Sequence, residues 1–527
     1  MLSARRLPLQ FAFGALVAAI VVLVLHETFL RELHFDDAYM FLRYAGNLLA
    51  TGDYGWNPGE RTYGCTSIGY TLFVTVVRFV RLDAVLGPGR ALQVSALFWA
   101  LAATVLLARV VRYAARGTVL DDATARRGLL VAFIAAPITF VNVLTGMDTT
   151  FSLFSTTFIL WCWFRFEERP TTTRWVLALV SGYLAFLVRP DNGIYALLFP
   201  WLFLRNIRQP TSRIVATYGV LIGLFALDTL LKARYFGNPM PLPFFAKSRG
   251  FYEGYIGIFR WNNLEFTFDF FLTYGGVLFL LAVLLPGAPE RRAGWVFLLP
   301  MLATVAYYFS VTQIMGQWSR YYLPSAPFLI AGLLVSLRGT RPSDIAPERV
   351  AWAFLALVVF LLGRQIVAAR YGSIRVAREQ AVAARYIKED PDLAGGQEFG
   401  DPWWKGITTM SAIAGRLPAG STIAATEHGY VAAMNPKIRV LDLCGLHNPQ
   451  LALHGWSDDQ LRASNPEVIW MPHREYVGLY HRVRTGSYFN SAYEFFPRAL
   501  SFGVAIRKDS AHRDEIRAIL ERGIAAP

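Results

Sequence analysis

Apolar runs long enough to cross a bilayer recur from near the N-terminus to about Ala368, and a water-soluble fold has no core large enough to hide them all. Eleven are read: Phe11–Phe29, Ala91–Val110, Leu129–Leu144, Thr150–Phe166, Trp175–Val188, Ile194–Leu204, Ile214–Leu231, Phe268–Leu285, Trp295–Phe309, Tyr321–Leu337 and Ala351–Val367. The chain is 54% hydrophobic and 17% charged, against about 25% charged for soluble domains. The expected fold class is therefore a polytopic α-helical membrane protein. The first run is too long for a cleaved signal peptide, and no small-residue cleavage site follows it.

A net charge of +14 would suggest a nucleic-acid partner in a soluble protein, but here the basic residues fill short loops between spans and no nucleic-acid motif is present. With Arg5 and Arg6 cytoplasmic, every loop that the span count assigns inside is Arg-rich, from Arg109, Arg112 and Arg116 through Arg205 and Arg208 to Arg338 and Arg349. The opposite loops carry HFDDAY (34–39), GMDTT (146–150), RPDNG (189–193), FGNPMPLPFFAKS (236–248) and GQWSRYYLP (316–324), rich in Asp, Gly, Pro, aromatics and single bases. This pattern predicts a bacterial cytoplasmic membrane protein with its N-terminus inside and its chemistry outside. To keep the parity, residues 66–81 stay outside as an interfacial or re-entrant helix, and 37–50 forms another. After residue 368 the composition turns soluble. Short β-branched runs in STIAATEHG, KIRVLDLCGLHNP, PEVIWMP and ALSFGVAIRK, with Trp456–Ala463 helical, predict a small extracytoplasmic α/β domain over 369–527.

Asp36 and Asp37 sit side by side just after the first span, where bare carboxylates are costly unless solvated, paired or bound. Transfer of a sugar from a lipid phosphate to a hydroxyl needs a base for the acceptor, cations for the leaving phosphate, and aromatic and polar groups for the sugars. Asp36 and Asp37 are the candidate base and its neighbour. Adjacent helical residues point about 100° apart, so one can meet the acceptor while the other orients an Arg, a cap or a metal; capping of the helix that follows is the structural alternative. Arg43, Arg189, Lys247 and Arg320 are candidate phosphate contacts, with interfacial snorkelling as the alternative. His34, Trp56, Asn57, Glu60, Tyr63, Thr66, Asp148, Asp191, Trp318 and Tyr321 are candidates for holding sugar or acceptor; interfacial anchoring competes for the aromatics and an Arg189 ion pair for the acids. The outer acids admit a divalent cation (Mg2+, Mn2+ or Ca2+) at Asp36 and Asp37 without requiring one. His428 and His447 read as structural or acceptor-facing. Cys65, Cys162 and Cys444 have no metal-ligand spacing, while Cys65 and Cys444 share the outer compartment.

The segment 34–71 resembles the first outer loop of polyprenyl-phosphate-sugar glycosyltransferases of the GT-C fold, in particular the AftB-type mycobacterial arabinofuranosyltransferases. It carries Asp36–Asp37, Arg43, Asn47–Leu48–Leu49, the turn Asn57–Pro58–Gly59–Glu60–Arg61 and Thr66–Ser67; Asp442–Leu443–Cys444–Gly445–Leu446 adds a D-x-x-G-L piece in the outer domain. The resemblance is clear over about 40 residues and architectural elsewhere. It implies a transferase with a first-loop Asp as base or metal-assisted catalytic residue, D-arabinofuranose on decaprenyl phosphate as donor, and a cell-envelope glycan as acceptor. Alternatives are another sugar such as mannose, a protein or lipid acceptor, or a transporter of lipid-linked sugars. The last would need ionisable groups buried mid-span and a repeat between halves; Asp228 alone is mid-span and no repeat is seen. A monomer in the bilayer is the expected state.

Overall fold

The computed structural model describes residues 18–27, 33–118, 120–248, 259–284, 291–310, 317–339, 402–472, 476–497, 499–501 and 503–525, with four single positions between 359 and 384. Among the described residues, fifteen α-helices precede residue 340: α1 (Ala18–Glu27), α2 (Asp36–Thr51), α3 (Ile68–Phe79), α4 (Leu82–Leu86), α5 (Pro88–Ala114), α6 (Ala123–Ala135), α7 (Pro137–Leu144), α8 (Thr149–Glu168), α9 (Thr172–Val188), α10 (Gly193–Asn206), α11 (Thr211–Phe236), α12 (Leu242–Ser248), α13 (Phe259–Leu284), α14 (Arg291–Ser310) and α15 (Ala326–Ser336). Their limits follow ordinary helix chemistry. Asp122 caps α6 by accepting from the Thr124 and Ala125 amides, Thr171 caps α9 through the Arg174 amide, and Pro88 opens α5 where no amide donor is needed.

The core of this bundle is α8 and α15. Every residue of α15 is buried, and α8 packs on α5, α9 and α15 through Leu153, Leu160, Trp163 and Phe164, with Phe199, Phe203, Phe297 and Phe328 completing an aromatic centre. The hydroxyls of α8 bond back into the bundle: Thr157 Oγ1 donates to Leu153 O and Thr156 Oγ1 reaches Pro324 O, so they cost little at apolar depth. Helix α14 crosses α15 at Gly294 and Gly332; a Cβ on Gly294 would stand 2.7 Å from the Gly332 carbonyl oxygen.

Among the described residues, α5 and α11 are long and apolar enough to cross a membrane, and α6 with α7 makes a third if the pair, bent by 47°, is one span. Length and apolarity among the described residues thus bear out two to three of the eleven runs as spans, and the full count stays an expectation. The run 129–144 breaks at Ala136 before Pro137, the run 321–337 contains a helix of only 11 residues, and 194–204 falls in a 14-residue helix with Pro200 inside it. Hydropathy alone reports apolar length and misses these breaks. The run 351–367 lies almost wholly outside the described residues. Helix α11 leaves most of its apolar surface uncovered, with Leu230 68% exposed, as a lipid-facing helix does.

Residues 402–525 form a five-stranded sheet flanked by helices: α16 (Pro402–Ala414), β1 (Thr422–Ala425), α17 (Gly429–Met434), β2 (Arg439–Asp442), α18 (Pro449–His454), α19 (Asp458–Ser464), β3 (Val468–Trp470), α20 (Val477–Arg484), α21 (Ser487–Ala492), β4 (Tyr493–Phe496), β5 (Val504–Arg507) and α22 (Arg513–Ala525). The order is β2-β1-β3-β5-β4. Strand β1 runs parallel to β2 and β3, Ile423 opposite Val440 and Val468, while β5 is antiparallel to β3 and β4. Four strands fall in the runs read from sequence; β4, the aromatic stretch YEFF, was not foreseen.

Strand β2 is a sheet edge, and the loop after α2 covers it. Asn57 mimics a strand there: its Oδ1 accepts from the Val440 amide at 2.8 Å and its Nδ2 donates to the Val440 carbonyl at 3.3 Å. The loop is thus built into the C-terminal sheet domain, called the outer domain below after the side expected from sequence, and one hydrophobic core runs continuously from Phe41 and Tyr44 to Ile423 and Val440.

Candidate active site

The two adjacent carboxylates of α2 diverge. Asp36, 3% exposed, turns into the outer domain and caps α17: Oδ2 accepts from the His428 and Gly429 amides at 3.0 and 2.8 Å, and Oδ1 from Tyr430 at 2.7 Å. Burial, the largest influence, and the nearby Glu427 push its pKa up to about 6 against the pull of His428 and these amides. Two turns on, Arg43 holds the other end of the same short helix. It donates to the carbonyls of Ala432, Asn435 and Ile438, and to Trp56 O at 2.7 Å. Burial lowers its pKa to about 10, so it stays charged at neutral pH. Gly429 lets the two helices meet, because a Cβ there would collide with the Asp36 backbone carbonyl.

Several expected roles change accordingly. Asp36 is a cap for a helix almost 400 residues away, with its oxygens already engaged, and it does not form a paired cation site with Asp37, which faces elsewhere. Arg43 grips carbonyl oxygens, not a phosphate. Trp56 is 1% exposed, donates to Val440 O and stacks on His447 at 4.1 Å, so no sugar reaches its face. Asn57 is occupied by β2, Glu60 pairs with Arg439, and Tyr63 is buried against Phe236 at 5.0 Å. His34, stacked on Trp404 at 4.5 Å, and Thr66 and Trp318 lie at the surface. The three cysteines are buried and free.

Asp37 faces the helical bundle, with Arg320 Nη2 at 3.7 Å from its Oδ2. Burial, the largest influence, raises its pKa; Arg320, Lys247 and His428 oppose the rise and Glu427 adds to it. Arg320 is 6% exposed, lies over the rings of Phe35 at 5.5 Å and Tyr321 at 5.0 Å, and donates Nη2 to the Tyr321 hydroxyl at 3.3 Å. Its Nε and Nη1 are buried with no hydrogen-bond partner among the described residues. Unsatisfied guanidinium donors at that depth cost several kcal/mol unless an acceptor arrives.

Behind Tyr321 stands a second cation. Arg189 is fully engaged: Nε on Asp191 at 3.1 Å, Nη2 on the Tyr308 hydroxyl at 3.1 Å, Nη1 3.8 Å from Asp148, and its charge 5.2 Å from the Tyr321 ring. Tyr308 also bonds Asp191 and stacks on Tyr321 at 5.2 Å. The Tyr321 ring therefore lies between two guanidinium groups, Arg320 at 5.0 Å and Arg189 at 5.2 Å. Segments 34–39, 146–150, 189–193 and 317–324, scattered over nearly 300 residues, therefore meet around Asp37, Arg320 and Tyr321, and Lys247 of 236–248 is close enough to pull the Asp37 pKa down. Tyr308 and Glu427 were not foreseen; Tyr308 sits inside an apolar run that looks like any other span.

This helical bundle with a small appended sheet domain shares its fold with ArnT from Cupriavidus metallidurans, the GT-C fold. The crystal structure of that ArnT bound to undecaprenyl phosphate superposes with a TM-score of 0.52 at 14% identity, covering 94% of this chain and 98% of that one. The apo state of the same ArnT gives 0.50 at 13% identity with the same coverage. Residues 397–509 match the family model described as Domain of unknown function (DUF8728). No curated protein matches the chain.

Proposed function

We propose that the chain is an integral-membrane glycosyltransferase that moves one monosaccharide from a polyprenyl phosphate to a hydroxyl of a cell-envelope glycan on the extracytoplasmic face. The observation that carries this reading is the buried Arg320 guanidinium, with two donors unsatisfied, beside the only first-loop carboxylate not consumed by the fold. Asp37 takes the proton of the acceptor hydroxyl as its oxygen bonds to the anomeric carbon. The anomeric carbon–phosphate oxygen bond breaks, and its electron pair leaves on the polyprenyl phosphate, whose charge Arg320 and Lys247 receive. Arg189, held by Asp148, Asp191 and Tyr308, fixes the Tyr321 ring between two cations. His34, Thr66 and Trp318 are the exposed groups left for sugar contact.

Three facts support the carrier and the side: a protein of this fold has been crystallised with undecaprenyl phosphate, the site-forming loops share one side in the charge pattern, and α11 presents an apolar face. The membrane part is taken as 1–368 and the extracytoplasmic domain as 369–527, working as a monomer. D-arabinofuranose on decaprenyl phosphate is the first donor to try, on the resemblance of residues 34–71. A panel of synthetic polyprenyl-phosphate sugars is offered to the purified chain with a glycan acceptor, and product mass is read. An added pentose is expected. A hexose product would change the sugar alone; no product from any donor would remove the transferase reading.

A further inference from the structure

We infer that the outer domain contains a transition-metal site, built by His428, Asp442 and His447 and closed by Met40 from α2. The three residues come from different places: the residue before α17, the end of β2, and the loop after β2. All are buried, at 3%, 1% and 2% exposure, and one donor atom from each lies within 4.8 Å of the others.

The hydrogen bonds around the cluster orient it from outside. Asp442 Oδ1 accepts from the Cys444 amide at 2.7 Å and Oδ2 from the His447 amide at 2.6 Å, which fixes the carboxylate plane. His447 Nδ1 meets the Tyr44 hydroxyl at 3.0 Å and its ring lies flat on Trp56, leaving Nε2 turned to Met40 Sδ at 2.8 Å. Such outer partners are what orient metal-bound imidazoles and carboxylates. His428 supplies the independent observation. Neither of its ring nitrogens makes a hydrogen bond among the described residues, although the ring is almost wholly buried. Its Nε2 stands 3.1 Å from Asp442 Oδ1 but is misaligned for hydrogen bonding to it. Two ligands about 2.0–2.1 Å from a tetrahedral ion lie about 3.3 Å apart and point at the ion, not at each other. Two imidazoles, one carboxylate and one thioether suit Zn2+, with Co2+ as its spectroscopic stand-in, and are a poor set for Mg2+ or Ca2+.

The ion would tie the start of α17 and the end of β2 to α2, next to the amides that hold Asp36. This inference does not depend on the transferase reading. The test uses the full chain in detergent, stripped with a chelator and titrated with Zn2+ alone, with bound metal counted by mass spectrometry. About one ion per chain is expected, falling to near zero in His428→Ala/His447→Ala and binding about ten-fold more weakly in Tyr44→Phe. Co2+ should give the intense visible bands of a tetrahedral centre in the wild type. A wild type that takes up no Zn2+ and shows no such bands overturns the site, whatever the variants do. So does a folded double variant that keeps its ion.

Discussion

Helix α2 has two faces of opposite character. Toward the outer domain, Asp36 and Arg43 grip the two ends of α17, and every one of their bonds is to backbone. Toward the bundle, Asp37 meets Arg320 at a loose 3.7 Å, and two guanidinium donors have no hydrogen-bond partner among the described residues. Both faces pair an acid with a base, and both begin from neighbouring carboxylates of one motif, Asp36 buried and Asp37 half-buried. Saturation separates them: a structural polar network closes on itself, whereas a site meant for a ligand leaves donors open.

The comparison breaks first at Asp37. Asp37→Asn keeps size and removes the base, and transfer should fall by about 1,000-fold, with the melting temperature nearly unchanged. In the wild type the rate should rise with pH, since the carboxylate is the working form. Burial lifts the Asp37 pKa above 3.8, so the acid limb lies above that value. Arg320 is the strongest influence lowering it; in Arg320→Lys, a flexible cation less well placed, residual activity should show its limb at higher pH. A pH-independent rate down to pH 4 would dismiss Asp37 as base.

The two arginines give the next largest contrast. Arg320→Met removes unsatisfied donors, so the protein should be as stable or more so while transfer drops about 100-fold. Arg43→Met takes the guanidinium from the Ala432 and Ile438 carbonyls, while Trp56 O keeps Asn47 Nδ2 and Asn435 O keeps the Ile438 amide, at about 3 kcal/mol. Thermal unfolding and turnover measured on both variants must move in opposite patterns. If both lose stability alike, the Arg320 pocket is structural.

Asp36→Ala and Gly429→Ala probe the closed face further. The first leaves three amides without an acceptor, each costing about 1–3 kcal/mol. The second drives a Cβ into the Asp36 carbonyl and must pry α2 from α17. Both should loosen the outer domain, seen as faster proteolysis around residues 428–445, and lower activity only through the misplaced Asp37. Full protease resistance with lost transfer in Asp36→Ala would return Asp36 to the chemistry.

Residues 34–71 exposed the site by composition: paired acids, a base at 43 and a tight turn cannot sit idle beside a membrane helix. The division of labour stayed hidden because it depends on contacts almost 400 residues apart, and helix periodicity gave only the 100° divergence of Asp36 and Asp37. Trp56 and Tyr63 looked like sugar platforms for the same reason: an aromatic in a polar loop reads alike whether a sugar or a distant histidine covers it. Arg189, Arg320, Lys247, Asp148 and Asp191 were found by sharing one side of the charge pattern, a coarse signal that nevertheless gathered residues now seen to converge. The break at Ala136 was less visible, since apolar length carries no information on bending.

The smallest effect is expected at the rim of the closed face. Glu60 pairs with Arg439 on the edge strand β2, with side chains 33% and 43% exposed. Water and salt screen such a pair, and Asn57 already holds the loop to Val440 from a buried position. Glu60→Gln should therefore cost under about 1 kcal/mol, less at high ionic strength, and leave transfer within about two-fold. Asn57→Ala, which frees the buried Val440 amide, should cost more than Glu60→Gln at every salt concentration. The reverse order in salt-dependent unfolding would mean that charge, not edge-strand pairing, fastens the first loop to the outer domain.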